Sequence, residues 1–190
     1  KTPLGENYYD LSNNYVLEQQ SKLAQDYGIY GFVYYHYWFN GKKLMEKPLE
    51  NMLSDDKVTI HYCLSWANEP WTRSWDGKSK EIIMPQEYGN KEDWETHFNY
   101  LLNFFKDNRY IKMDNKPVLF IYRIDNINYH EEMFKYWNDM AIKNGFSGIF
   151  IVETLTNFQT KPVSNISEAI YLFEPMYTTA NEYTKTSRII

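Results

Sequence analysis

The sequence predicts an α/β fold: a parallel-stranded (β/α) barrel of TIM type, incomplete, with about five βα units. Three observations lead there. Short apolar runs alternate with amphipathic helical segments, which is the pattern of βαβ units around a buried parallel sheet. No GxGxxG fingerprint or P-loop occurs and glycine totals only 8, which favours a barrel over a dinucleotide fold. Each strand-like run ends in polar or aromatic residues and none begins with a comparable cluster, as expected when a single sheet edge carries function. A complete eight-unit barrel takes ~250 residues or somewhat fewer. The 190 residues therefore hold one domain with a sizeable core and an open set of units.

The elements follow in chain order. Asn14 to Tyr27 reads as a helix, with Val16, Leu17, Leu23, Ala24 and Tyr27 at helical spacing, Ser12 or Asn13 as the cap, and Gly28 as the stop. Gly31 to Trp38 is a nearly continuous apolar and aromatic strand. Lys43 to Leu53 reads as an amphipathic helix interrupted early by Pro48, hence two short turns. Ile60 to Trp66 is the second strand. Glu92 to Lys106 is a helix that gathers Trp94, Phe98, Leu101, Leu102 and Phe105 on one side. Pro117 to Tyr122, PVLFIY, carries the clearest β signal. Tyr129 to Asn144 is a helix ended by Gly145, and Gly148 to Val152 and Ala169 to Phe173 complete the strands.

Composition narrows the function classes. A net charge of -5 disfavours a nucleic-acid partner, which would select a basic face. No apolar run approaches the ~18–20 residues needed to span a bilayer. The opening KTPLGENYYDL has neither a starting methionine nor the apolar stretch of a signal peptide, so the chain is expected to be cut from a longer, cytoplasmic protein. Its single cysteine, Cys63, lies within a strand run and is expected to be a small buried hydrophobe. Aromatic residues make up 18%, with 18 tyrosines and 6 tryptophans, which excludes a disordered chain and suits walls that are half core and half wet pocket.

The chemistry concentrates in Trp66 to Gly77, WANEPWTRSWDG, directly after a strand. Three tryptophans, an Asn-Glu pair, an arginine and an aspartate gather there, although a surface loop has no folding need for three tryptophans. Indole faces stack on the C–H faces of sugar rings, while carboxylates, amides and guanidinium groups hold the hydroxyls; ligand pockets combine such apolar walls with a few fixed polar groups. A carbohydrate site at the strand ends is the leading expectation, with a glycan or glycoside as partner.

Glu69 is the first candidate for a catalytic carboxylate, because a carboxyl group among tryptophans loses solvation and shifts toward general-acid use. Its plainer roles are a ligand for a sugar hydroxyl or an ion pair with Arg73. Glycoside chemistry usually needs two carboxyl groups, ~5–5.5 Å apart for retention or ~6.5–9.5 Å for inversion. Glu153 and Glu174, at later strand ends, are the possible partners, each with a structural alternative. Trp38, Trp66 and Trp71 are candidate sugar platforms or rim packing, and Asn68 a hydroxyl ligand. His36 is a wall residue or a catalyst, and Tyr35, Tyr37 and Asn40 stand beside it. Arg123 can clamp an anionic substrate group or bridge to a neighbouring acid such as Asp125. Trp75, Asp76 and Asn157 are further strand-end residues, whereas Trp94 and Trp137 belong to the core. His61, His97 and His130 lack metal-ligand spacing, so neither a metal nor a cofactor is expected.

Three segments carry a resemblance: YYDLSNNYVLEQQSKLAQDYGIYGFVYYHYWFNGKKLMEKPLENML, CLSWANEPWTRSWDG and FKDNRYIKMDNKPVLFIYR. Together they resemble the WbsX family of bacterial polysaccharide-biosynthesis proteins, whose domain is like glycoside hydrolase family 99. The match runs from about Leu4 through Arg123 and weakens beyond. It implies a (β/α) barrel and a part in building or trimming surface polysaccharide such as lipopolysaccharide O-antigen. The family carries a glycosyltransferase label, whereas its fold relationship is to hydrolases.

Residues 1–190 are then expected to be one family 99-like domain lacking the first strand and the C-terminal strands. The family's Asn-Glu-Trp-x-Glu-Gly motif, which bears the catalytic pair in family 99 hydrolases, is absent, since Asn181-Glu182-Tyr183 continues into Thr184 and Lys185. The resemblance carries over only a binding wall: Tyr35, His36, Trp38, Trp66, Asn68, Glu69, Trp71 and Arg73. The rival readings are a glycosyltransferase and a non-catalytic glycan-binding module. The first has little support in a DxD-like motif, because the only close acidic pair in a loop, Asp55-Asp56, follows a helix rather than a strand.

Overall fold

A computed structural model describes residues 8–73, 78–156 and 159–179. Helix α1 (Asn14–Asp26) is capped by the Asn13 side chain, which accepts from the Tyr15 N–H at 3.0 Å, and the chain turns out of it through Gly28 at φ 76°. Strand β1 (Gly31–Phe39) then folds back through Asn40 and Gly41, both at positive φ, into the short antiparallel β2 (Lys42–Leu44). Pro48 stands in the first turn of α2 (Lys47–Leu53), where its missing N–H costs nothing. The expected helix from Lys43 is thus replaced by a hairpin strand followed by a shorter helix that proline starts rather than interrupts.

Strand β3 (His61–Trp66) leads into a hairpin of β4 (Trp71–Arg73) and β5 (Lys78–Met84), which polar, irregular spacing concealed in the sequence. Helix α3 (Lys91–Phe105) opens with a capping box between Asn90 and Asp93. The pair β6 (Lys112–Met113) and β7 (Lys116–Ile121) turns through Asp114 and Asn115, also at positive φ. A 3₁₀ turn (Ile124–Asn126), α4 (His130–Lys143), β8 (Phe150–Leu155) and β9 (Ala169–Leu172) complete the described chain.

The main sheet among the described residues has seven strands in the order β2-β1-β3-β7-β8-β9, with β6 beside β7. β1, β3, β7, β8 and β9 run parallel, whereas β2 and β6 are antiparallel additions. The fold is mixed α/β with a mostly parallel sheet, as predicted, but the sheet is open between β2 and β9 and does not close into a barrel. No helix among the described residues is long and apolar enough to cross a membrane.

Register fixes which side chains share a face. Phe32, Tyr34 and His36 align with Tyr62, Leu64 and Trp66, and these in turn with Leu119 and Ile121. This set meets the helices: Trp66 contacts Trp137 of α4 and His97 of α3, and the core cluster adds Phe98, Leu101, Phe105, Met133 and Phe134. Trp94 and Trp137 are buried there as expected; Cys63, in register with Val33, is buried as well, and burial pushes its thiol up to about 12. Val33, Tyr35, Ser65, Phe120, Thr154 and Tyr171 occupy the alternate positions and line an open concave face instead.

Candidate functional site

The open face deepens toward the C-terminal ends of the strands into two adjoining hollows. One, of about 210 Å³, is lined by Val33, Tyr35, Ser65, Phe120, Tyr122, Thr154, Tyr171 and Phe173. The other, of about 220 Å³, is lined by Tyr35, Tyr37, Ala67, Glu69, Pro70, Trp71 and Tyr122. Each by itself is smaller than the ~300–1,000 Å³ usual for ligand clefts, so a sugar-sized ligand would draw on both. Tyr35 and Tyr122 border both hollows. Ring edges meet ring faces along the wall, with Trp71 at 5.4 Å from Tyr37 and 5.7 Å from Phe39, and Tyr122 at 5.6 Å from Phe173.

The charged part of the wall is a triad. Arg123 donates from Nη1 to Glu69 Oε1 at 2.8 Å, and from Nε and Nη2 to Asp125 Oδ1 and Oδ2 at 3.0 and 2.9 Å. The guanidinium side chain is 13% exposed and the Glu69 side chain 39%, so the face turned to solvent is the carboxylate's. Hydrogen bonds to Asp125 raise the Arg123 pKa further, against the pull of burial. Burial also raises Tyr122, with the Glu69 charge adding to it, and burial raises Tyr35. These phenols are therefore neutral donors at physiological pH.

Asn68 builds the triad's frame. Tyr122 N–H donates to the Trp66 carbonyl at 3.1 Å, continuing the β3–β7 ladder. One step on, the Asn68 carboxamide takes the place of a strand: Oδ1 accepts from Arg123 N–H at 2.8 Å and Nδ2 donates to the Arg123 carbonyl at 2.7 Å. Its own carbonyl accepts from Tyr88 Oη at 2.9 Å. Asn68 is fully buried, so its polar atoms hold backbone and none faces the hollows. Arg73 bonds both oxygens of Glu81 at 3.2 Å, which fastens β4 to β5; the arginine beside Glu69 is Arg123 instead.

The remaining predicted site residues separate by strand parity. Tyr35 and Trp71 line the hollows. His36, Trp38 and Trp66 lie on the helix side and are buried, which contradicts a platform position for either tryptophan. Trp38 stacks on His97 at 4.6 Å and 1° between planes, Trp66 meets the same ring edge-on at 4.6 Å, and the Trp66 indole N–H donates to the Trp38 carbonyl at 3.3 Å. His36 Nε2 and His97 Nε2 share a hydrogen bond of 2.8 Å, so one ring donates and the other accepts. Burial, assisted by nearby Lys43, depresses the His36 pKa to about 3, and burial depresses His97 as well.

Glu153 is aligned with Ile121 and faces away from the hollows. It is wholly buried and accepts from the Gln159 amide, the Val163 and Ser164 N–H groups and Ser167 Oγ, so it organises the segment between β8 and β9 rather than meeting Glu69. Glu174 is exposed and bonds Thr178 through N–H at 3.1 Å and Oγ1 at 2.6 Å. No group of three or more possible metal-ligating side chains occurs among the described residues. Trp75, Asp76, Asn157 and the Asn181-Glu182-Tyr183 stretch lie outside the described residues. The residues missed in sequence were Ser65, Phe120, Thr154 and Tyr171. A count of alternate positions along the strands would have found them, because each is two residues from another hollow-facing position or in register with one.

Comparisons with known proteins bear on the fold and the family. The structure resembles a solved glycoside hydrolase-like protein at a TM-score of 0.58 and 13% identity, over 97% of this chain and 61% of that one. The uncharacterized protein WxcX of Xanthomonas campestris pv. campestris, in strains B100 and ATCC 33913, is 27% identical over the full 190 residues. The chain spans 27% of the length of those curated relatives. The family model described as glycosyltransferase WbsX matches residues 1–189. On that match, the chain belongs to the glycosyltransferase WbsX family.

Proposed function

We propose that the chain supplies the glycan-holding wall of a carbohydrate-active protein in bacterial surface polysaccharide biosynthesis, acting at a glycosidic bond. The observation that carries this reading is the Glu69–Arg123–Asp125 triad set among Tyr35, Tyr37, Trp71 and Tyr122 at the strand ends. Aromatic rings offer stacking faces, and a carboxylate already fixed by a guanidinium accepts hydrogen bonds from sugar hydroxyls with little loss of side-chain freedom. The same fixation favours Glu69 as a hydroxyl ligand over a proton donor. Family membership supplies the polysaccharide context, and the fold likeness to a glycoside hydrolase-like protein supports chemistry at a sugar linkage.

The open sheet supports a further part of the reading. Its hollow-facing side leaves Val33, Tyr35 and Tyr171 about half exposed, which suits strands of a longer protein closing a (β/α) barrel around it. The second carboxyl group that glycoside chemistry needs does not come from Glu153, which faces the helices. The expected outcome for this chain by itself is that it binds a glycan without turning it over.

Saturation-transfer NMR on the chain with a panel of oligosaccharides tests the proposal. Transfer to ring protons is expected and should weaken at least tenfold in Trp71→Ala. Rapid glycoside turnover by the unaltered chain would refute the binding-only assignment, and absence of transfer with every sugar would refute the wall itself.

A further inference from the structure

We infer that the site takes uncharged or amino sugars and rejects sugar acids and phosphorylated sugars; this deepens the glycan-wall reading and rests on it. The reason lies in how the cations near the hollows are committed. Arg123 is bonded by Glu69 and by both oxygens of Asp125, and its side chain is largely covered. Two carboxylates around one guanidinium leave a formal charge of -1. Arg73, on the neighbouring hairpin, is bonded by both oxygens of Glu81. Among the described residues that line the two hollows, Glu69 is the only charged one, and burial holds the Tyr35 and Tyr122 phenols neutral.

An anionic sugar entering beside Glu69 meets a like charge in a partly desolvated hollow, where repulsion is stronger than in water. It would also surrender its own hydration with no partner of opposite sign among the described lining residues. A protonated amino sugar meets the reverse situation and can pair with Glu69. A hydroxyl donates to the same carboxylate at no charge cost. Specificity here comes from a built-in repulsion as well as an attraction. A nucleotide diphosphate in these hollows is disfavoured for the same reason, since its phosphates would find no cation among the described lining residues.

The experiment uses the 190-residue chain and matched probes: methyl glycosides of glucose, galactose and mannose, their 6-carboxylate counterparts and their 2-amino counterparts. ¹H–¹⁵N chemical-shift titration reads affinity and places the contact, at low and at moderate salt. The neutral or amino member of each binding set should bind at least tenfold more tightly than its carboxylate, and the gap should shrink as salt rises. Asp125→Asn, which releases one side of the Arg123 guanidinium, should narrow or reverse the gap, whereas Glu81→Gln on the hairpin should change it less. Equal or tighter binding of the carboxylates by the unaltered chain overturns this inference alone. No shift at Glu69, Trp71 or Tyr122 with any probe overturns the glycan-wall reading and takes the inference with it.

Discussion

The two faces of the main sheet draw on the same residue types for opposite purposes. Along β1, Tyr34, His36 and Trp38 turn toward the helices, while Tyr35 and Tyr37 turn toward the hollows. On the helix side, aromatic and imidazole rings interlock and are nearly solvent-free; Trp66 is 1% exposed. On the hollow side, Tyr35 is 46% exposed and the rings meet one another edge-on around open space. An aromatic cluster at a strand end is therefore core or binding wall according to its position in the two-residue alternation, and composition does not decide between them. The comparison makes a quantitative demand: substitutions on the helix side should change stability, and those on the hollow side should change ligand affinity.

The largest expected effect is that of Trp66→Ala. It removes a buried indole in contact with His97, Tyr88 and Trp137, together with a hydrogen bond to the Trp38 carbonyl. A loss of about 3–5 kcal/mol is expected, read as the shift in urea midpoint at constant slope. A change below ~1 kcal/mol would mean that the tryptophan is not part of the core. Asn68→Ala should cost less, about 2–3 kcal/mol, because it strands the Arg123 N–H and carbonyl without partners. It also joins the two faces: the ladder that Asn68 completes holds Arg123 against Glu69. Stability and sugar affinity should therefore both fall in that variant, and loss of either one alone would break the proposed link.

Acid should weaken the helix side selectively. Burial holds the His36 pKa down at about 3 and places that of His97 well below its ordinary value. The unfolded chain takes up protons on both rings as pH drops below about 6.5, while the folded chain excludes them. The stability that the pair contributes is thus complete above pH ~6.5 and is lost progressively as pH falls toward the folded values. The slope reaches up to ~1.4 kcal/mol per pH unit for each ring. Urea titrations at pH 7.5, 6 and 5 check the sign, and His97→Phe should flatten the profile. Stability that rises on acidification through this window would contradict a neutral buried pair.

How much of this was legible follows from the same alternation. Helix ends were readable because Asn13, Gly28 and Gly145 act locally, and the apolar runs of β1, β3 and β7 identified the parallel sheet. The β1–β2 hairpin was written in Asn40-Gly41, a pair suited to positive φ, but Lys43 to Leu53 also has helical spacing and that signal obscured it. At the site, the Glu69 neighbourhood and Arg123 were readable as strand-end residues. Which charge meets which was not, since Arg73 and Arg123 lie 4 and 54 positions from Glu69 and only the parallel β3–β7 pairing brings the distant one in. Asn68 was misread for a related reason. An amide beside a carboxylate suits a sugar, yet a buried strand end needs that amide to complete its hydrogen bonds.

Trp71→Ala should have the smallest effect on stability and is the sharpest test of the contrast. Trp71 begins β4 and makes edge contacts with Tyr37 and Phe39, and it remains partly exposed. Losing such contacts costs about 1 kcal/mol, several-fold less than Trp66→Ala, because there is no sealed cavity to leave behind. The indole is nevertheless one of the broadest apolar surfaces in the hollow that contains Glu69, so sugar binding should drop at least tenfold while the urea midpoint barely moves. The two tryptophans lie five positions apart in one segment, which removes composition and local sequence as explanations for a difference. If both variants lowered stability equally and left binding alone, the hollow would be a packing defect of an open sheet. Opposite responses would show that the alternation of β3 and the hairpin after it separates the residues that hold the domain together from those that hold its ligand.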